Sequence, residues 1–285
     1  MARPFLGNPK CTIEVLQKYD FVFQKRFGQN FLIDENILRK IADASEITKE
    51  DLIIEIGPGI GTLTQYLAEQ AREVIAVEID KALIPVLKDT LKECPNVQII
   101  QEDILKVDLK KLIDERNNGQ PVKIVANLPY YITTPIIMKI LEEHIPVSRM
   151  TFMMQKEVAQ RIGASPGTKD YGALSLAVNY YSSVEHVSEV PPSCFIPRPK
   201  VSSSVIALSV YEEPPVRAEN EALLFRLIRA SFNQRRKTFA NSVKNGMSYD
   251  RERIEEILVQ MGLPPNIRGE ALTLNQFIEI ADHLS

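Results

Sequence analysis

The sequence predicts an α/β fold: a largely parallel sheet covered by helices on both faces, followed by a small all-α domain. Three observations carry this expectation. From residue 51 onward, short apolar runs alternate with helix-length segments. A glycine turn, Gly57-Pro58-Gly59-Ile60-Gly61, joins the first of those runs to its helix. Six of the eighteen prolines fall within 191–215, and the chain beyond them has helical periodicity without strand-like alternation.

Taken in order, Asp34 is placed to cap a helix reaching about residue 44, with Ile37, Leu38 and Ile41 on its inner face. Strands are expected at 52–56, 74–79, 97–102, 122–126 and 151–154. Helices fall between them: one carrying Leu63, Tyr66 and Leu67, then 81–93, 108–116 and 134–143. Residues 174–181 and 203–211 read as a late antiparallel pair that closes the sheet. The run Glu212-Glu213-Pro214-Pro215 reads as a linker, which divides the chain into domains 1–211 and 212–285. Helices are expected beyond it at 219–232, 234–245, 250–261 and 273–283.

Composition bounds the function. At roughly 150 residues per domain, 285 residues make about two domains. No apolar run approaches the ~18 residues of a membrane span, and the N-terminus lacks a secretory apolar stretch, so no membrane partner is expected. Three cysteines and three histidines are scattered without metal-ligand spacing; this argues against a zinc site or a disulfide framework and fits a reducing cytoplasm. A monomer is expected. Net charge is −3 and the pI about 5.8, a weak argument against nucleic acid for the chain as a whole. The first thirty residues run the other way, with Arg3, Lys10, Lys18, Lys25 and Arg26 against Glu14 and Asp20.

The glycine turn lets a ligand approach the main chain. Its spacing differs from the dinucleotide GxGxxG, and no phosphate-cradling lysine follows. Glu78, twenty-one residues after Gly57, ends the next strand, where a carboxylate can accept both hydroxyls of a ribose. Glu102-Asp103 ends the third strand, where an acid can accept from an adenine amino group. A nucleoside cofactor without phosphates, S-adenosylmethionine, suits this set better than its rival, a nicotinamide dinucleotide. A tight turn with surface carboxylates is the bland alternative.

The fourth strand runs into Asn127-Leu128-Pro129-Tyr130-Tyr131. An adenine amino group is a poor nucleophile because its lone pair is delocalised into the ring. The side-chain oxygen of Asn127 and the carbonyl of Leu128 can hold its two hydrogens and favour an attacking geometry. Pro129 fixes the turn, and Tyr130 offers a flat face to an extruded base. A sulfonium methyl is already activated, so orientation outweighs general-base strength and no His or Cys nucleophile is needed. Standing alone, the same run would read as a capped strand end.

The run Phe27-Gly28-Gln29-Asn30-Phe31-Leu32, the glycine turn, Glu78, Asp103 and Asn127–Tyr131 resemble, in order, the ribosomal RNA adenine dimethyltransferase family. That family includes small-subunit enzymes and the Erm resistance methylases of large-subunit RNA. The stretches 165–172, 195–201 and 233–237 extend the resemblance to about residues 20–283. It implies a Rossmann-like class I S-adenosylmethionine-dependent methyltransferase sheet. Asn30, Leu32, Gly57 and Gly59 would line the cofactor pocket; Glu78 would hold the ribose and Asp103 the adenine. Asn127 would touch both cofactor and target amine, and Phe195 would offer an aromatic face opposite Tyr130. The implied substrate is a pair of adjacent adenosines near the 3′ end of small-subunit ribosomal RNA in an assembly intermediate, each dimethylated at its 6-amino group. An Erm-type methylase is the nearest alternative, disfavoured by the low pI and by 195–201. A non-catalytic assembly or transcription factor is disfavoured by the intact Asn127–Tyr130 run, and a small-molecule methyltransferase is a third option.

Between Ala222 and Tyr249 there is no acid, but there are six bases: Arg226, Arg229, Arg235, Arg236, Lys237 and Lys244. Arg226, Arg229, Arg236 and Lys237 are expected to share one helical face. Such a strip suits a phosphate backbone, with Arg149, Lys156, Arg161, Arg198 and Lys200 extending it. Without the other motifs the strip would read as a solvated helix surface.

Overall fold

A computed structural model describes residues 6–24 and 27–285. The basic residues Arg3, Lys25 and Arg26 of the N-terminal stretch lie outside the described residues. The described residues form nine strands: β1 (Phe31–Leu32), β2 (Leu52–Ile56), β3 (Glu73–Glu78), β4 (Val97–Gln101), β5 (Val122–Asn127), β6 (Val147–Gln155), β7 (Ser182–Val190), β8 (Phe195–Ile196) and β9 (Ser203–Val210). Seven of them make one sheet in the order β4-β3-β2-β5-β6-β9-β7. Strands β4, β3, β2, β5 and β6 run parallel, and β9 joins β6 antiparallel. The remaining two pair antiparallel, with Phe31 opposite Ile196 and Leu32 opposite Phe195.

Every residue of β2 is buried, which is why it reads as a continuous apolar run rather than an alternating one. Strand order reverses at β2: β3 lies on one side and β5 on the other, and this opens a crevice at the carboxyl ends. The helix Glu35–Ala44 begins where expected, with the Asp34 carboxylate accepting from the N–H groups of Asn36 and Ile37. Phe21 and Phe23 pack against Phe31 with ring centroids 5.8 and 5.6 Å away, so the segment entering β1 is anchored by aromatics.

The expected strand at 174–181 is a helix, Ala173–Tyr181. Seven of its nine residues are buried, so it lacks a polar stripe and its apolar run mimics a buried strand. The strand follows it, as β7, whose mostly polar residues gave no apolar signal.

The chain divides into two compact units, one of residues to Ala159 with Glu185–Val210 and one of Gln160–Val184 with Tyr211–Ser285. The helical unit therefore contains 160–184 as well as the chain beyond the linker; the expected division at 212 leaves 160–184 with the sheet. Its C-terminal helices are Glu221–Asn233, Phe239–Gly246, Arg251–Gln260 and Leu274–His283. The second starts at Phe239, capped by Thr238, and Gln234 to Lys237 form a turn closed by Lys237 N–H donating to Gln234 O at 2.8 Å. Arg236 and Lys237 therefore stand on a turn, and do not share a helical face with Arg226 and Arg229. Phe277 joins this unit's aromatic core, edge-on to Phe239 and stacked with Phe232. Among the described residues, no helix is long and apolar enough to cross a membrane.

Candidate active site

The crevice at the carboxyl ends is a cleft of about 980 Å³, part of it open to solvent. Its walls are 27–32, 55–59, 77–79, 102–104 and 127–132, with Thr62, Leu63 and Leu83. No lysine or arginine is among these lining residues.

The glycine turn forms one wall. Gly57, Gly59 and Gly61 all have positive φ (67°, 62° and 91°), which disfavours other side chains. At Gly59 space matters as well, since an added Cβ would sit 2.8 Å from the Phe31 ring. The Gly59 N–H donates to Glu78 Oε2 at 3.2 Å and the Asp80 N–H to Glu78 Oε1 at 2.8 Å. The Glu78 carboxyl is thus aimed by two main-chain donors. Burial, the larger effect, pushes its pKa up to about 7 against those donors. Asp80 in turn accepts from Gln29 Nε2 at 2.7 Å, which ties the segment before β1 to the end of β3.

Glu55 lies on β2 beneath the same turn and is 1 % exposed. Burial pushes its pKa up to about 8, and the neighbouring Glu78 charge adds to the effect. Among the described residues its Oε2 is buried without a hydrogen-bond partner, and the nearby Thr64 hydroxyl offsets only part of the burial. Two adjacent buried carboxyls in a cleft with no basic side chain among its described lining residues form a site suited to a cation rather than to a phosphate.

On the opposite wall, Asn127 ends β5. Its Nδ2 donates to the Asn30 carbonyl at 3.0 Å, and Asn30 Nδ2 donates to Gly28 O at 2.8 Å. With its nitrogen so occupied, the Asn127 carboxamide is left with Oδ1 as an acceptor. The Leu128 N–H donates to Met153 O at 2.9 Å, extending the β5–β6 ladder by one bond into the turn. The Tyr130 hydroxyl is 2.7 Å from Ser203 Oγ, and burial pushes its pKa upward. Asp103, just beyond β4, accepts from the Leu105 N–H at 3.0 Å.

The structure brings Asn30, Leu32, Gly57, Gly59, Glu78, Asp103, Asn127, Leu128 and Tyr130 to this one cleft. It does not bring Phe195 there. Phe195 is 1 % exposed, paired with Leu32 across the short sheet and packed in the core beneath it, so it presents no open face to a base. Arg149, expected on a basic rim, is buried and spends its guanidinium on the Ala44 carbonyl, Ser209, Glu46 and Glu185. In the helical unit, Arg226, Arg229, Arg236 and Lys237 are exposed. Arg235 is engaged: its guanidinium donates to the carbonyls of Lys169 (3.0 Å) and Tyr171 (3.1 Å), pairs with Glu270 at 3.3 Å and lies over Phe232. Sequence reasoning missed Glu55, although an acid inside the apolar run Leu-Ile-Ile-Glu-Ile is itself a signal. It also missed Gln29, which has no such signal.

Known proteins resemble this chain in sequence and fold. The family model for ribosomal RNA adenine dimethylase matches residues 20–284. Ribosomal RNA small subunit methyltransferase A of Lachnoclostridium phytofermentans is 60% identical over 281 residues, 98% of this chain and 97% of its own. Among solved structures, a dimethyladenosine transferase from Plasmodium falciparum is similar with a TM-score of 0.74 and 26% identity, covering 88% of this chain and 95% of that one. The 23S rRNA methyltransferase ErmE is similar with a TM-score of 0.68, also at 26% identity, over 89% of this chain and 99% of that one. The sheet is thus that of the class I methyltransferases, and the chain belongs to the ribosomal RNA adenine dimethylase family.

Proposed function

We propose that this chain is a small-subunit ribosomal RNA adenine dimethyltransferase, which moves methyl groups from S-adenosylmethionine to the 6-amino groups of two adjacent adenosines near the RNA 3′ end. The donor set fits such a cofactor: no lysine or arginine among the described lining residues, a buried carboxylate oxygen on Glu55 without a hydrogen-bond partner among the described residues, and a second carboxyl, Glu78, held by two main-chain N–H groups. When bound, the cofactor supplies a methyl already activated by its sulfonium charge.

The residues then divide the labour. Glu78 accepts the ribose hydroxyls and Asp103 the adenine amino group. Asn30, Leu32, Gly57 and Gly59 shape the pocket, and Glu55 faces positive charge. Asn127 Oδ1 and the Leu128 carbonyl accept the two hydrogens of the target amine and point its lone pair at the methyl carbon. Tyr130 stacks on the extruded base. Once alkylated, the amine is a cationic, strong acid and loses its proton to water without a side-chain base. The exposed Arg226, Arg229, Arg236 and Lys237 of the helical unit contact RNA phosphates.

One observation carries the reading: the Asn127 carboxamide is fixed through its nitrogen, so that its oxygen serves the cleft that holds Glu78. The similarity to a small-subunit methyltransferase at 60% identity, against 26% for ErmE, favours the small subunit as substrate. The test incubates the protein and labelled cofactor with small and large subunits purified from cells lacking it. Label on two neighbouring adenosines near the small-subunit 3′ end is expected; label on the large subunit alone overturns the assignment.

A further inference from the structure

We infer that Ser203 is a positioning residue for the methyl transfer, holding the Tyr130 ring at the attitude in which it receives the extruded adenine. This rests on the reading of Tyr130 as the stacking face. The two hydroxyls lie 2.7 Å apart and share one hydrogen bond. Ser203 is fully buried, and among the described residues its hydroxyl has no other hydrogen bond. Its backbone is fixed as the first residue of β9, opposite Gln155 of β6, and the neighbouring Ser202 carbonyl accepts from the Lys156 N–H at 3.0 Å.

Tyr130 is therefore held at both ends. Its backbone sits in a turn closed by the Ile132 N–H donating to the Pro129 carbonyl at 3.2 Å, and its phenol is tethered to the sheet. An aromatic residue in an open cleft has two soft torsions and, unless held, can fold over the Asn127 oxygen or swing into water. Tyr131, the next residue, makes no hydrogen bond through its hydroxyl among the described residues and is 51 % exposed. The difference between neighbours lies in the tether. A ring fixed before RNA arrives costs less ordering when the base is stacked, so the benefit falls on the methyl-transfer step and on RNA, not on cofactor affinity.

The test is a double-mutant cycle. Tyr130→Phe keeps the ring and removes its hydroxyl; Ser203→Ala removes the other half of the bond. Each is expected to lower the single-turnover methylation rate by about 3- to 10-fold, the range of one hydrogen bond. The double variant should be no slower than the slower single, Ser203→Thr should restore most of the rate, and cofactor Kd should stay constant throughout. A wild-type rate for Ser203→Ala, or losses that multiply in the double variant, overturns the inference. Tyr130→Ala separates it from the reading beneath: a wild-type rate there removes the stacking role and this inference with it. An impaired Tyr130→Ala beside an unimpaired Ser203→Ala removes the inference alone.

Discussion

The cleft of the sheet unit and the basic surface of the helical unit use polar groups in opposite ways. In the cleft the polar side chains are few and three are fixed: Glu78 by two main-chain donors, Asn127 through its amide nitrogen, Tyr130 through its hydroxyl. On the helical unit the charges are many and exposed, and Arg235 is spent on its own fold. Burial and a fixed geometry make single groups decisive, because each acts at low dielectric with no reorganisation at the moment of reaction. Exposed charges act as a sum. Substitutions in the two regions should differ both in size and in what they disturb.

The largest effect is expected at Asn127. Asn127→Ala removes the Oδ1 acceptor and should slow methyl transfer by about 10²- to 10³-fold, the cost of losing one preorganised transition-state group. Cofactor and RNA affinities should change far less. Single-turnover methylation of small subunits, together with calorimetric cofactor binding, checks this. Methylation at the normal rate with unchanged binding would falsify the clamp.

The buried carboxyls give the next effect, one of pH. Glu55 and Glu78 are held up at about 8 and about 7 by burial. Both sit above the ordinary carboxylate range, so the folded protein without cofactor binds protons that the unfolded chain has already lost. Its stability is greatest below about pH 4.3 as far as these two groups are concerned, and declines as pH rises through 7 and 8. A cationic ligand reverses the preference by favouring the ionised form. Cofactor affinity should therefore rise with pH up to about 8, by at most about tenfold per pH unit for each proton released. Glu55→Gln should flatten part of that rise. Calorimetry in buffers of different ionisation enthalpy counts the protons, and an affinity independent of pH from 6 to 8 removes the cation role of Glu55.

The two regions were also unequally legible. The cleft is written in short runs at strand ends, where topology brings neighbours in sequence to one edge of the sheet, so the glycine turn, Glu78, Asp103 and Asn127–Tyr131 could be read with little knowledge of packing. Phe195 could not, because its placement depends on a two-residue strand pairing with Leu32 across more than 160 positions of sequence. Glu55 was hidden inside a run that otherwise looked like core. The helical unit failed on periodicity: Ala173–Tyr181 is buried on nearly all sides and gave a strand-like signal. On its surface, a count of arginines cannot distinguish Arg235, which satisfies two carbonyls, from Arg236 on the next turn position.

Within the helical unit, these two neighbouring arginines differ in the same way. Arg235→Ala leaves the Lys169 and Tyr171 carbonyls without a donor and uncovers the Phe232 ring. The guanidinium is partly exposed, so water replaces some of what is lost, and a cost of about 1–2 kcal/mol is expected. This corresponds to a fall in Tm of about 2–8 °C, read by thermal unfolding. An unchanged Tm would mean that the anchor adds nothing to the fold.

Arg236→Ala should give the smallest and most specific result. Arg236 is exposed on the turn between the helices Glu221–Asn233 and Phe239–Gly246, so thermal unfolding should stay unchanged. Each phosphate contact on RNA releases condensed counterions, worth about 0.7 to 0.9 in the slope of log K against log salt. Losing Arg236 should lower that slope by about this amount and weaken binding a few-fold near physiological salt, with the rate of the bound complex unaffected. Lys237→Ala should do the same, and the two should add, since solvated charges act independently. A drop in the methylation rate at saturating RNA would instead place this turn in the same class as the cleft, acting by position rather than by charge.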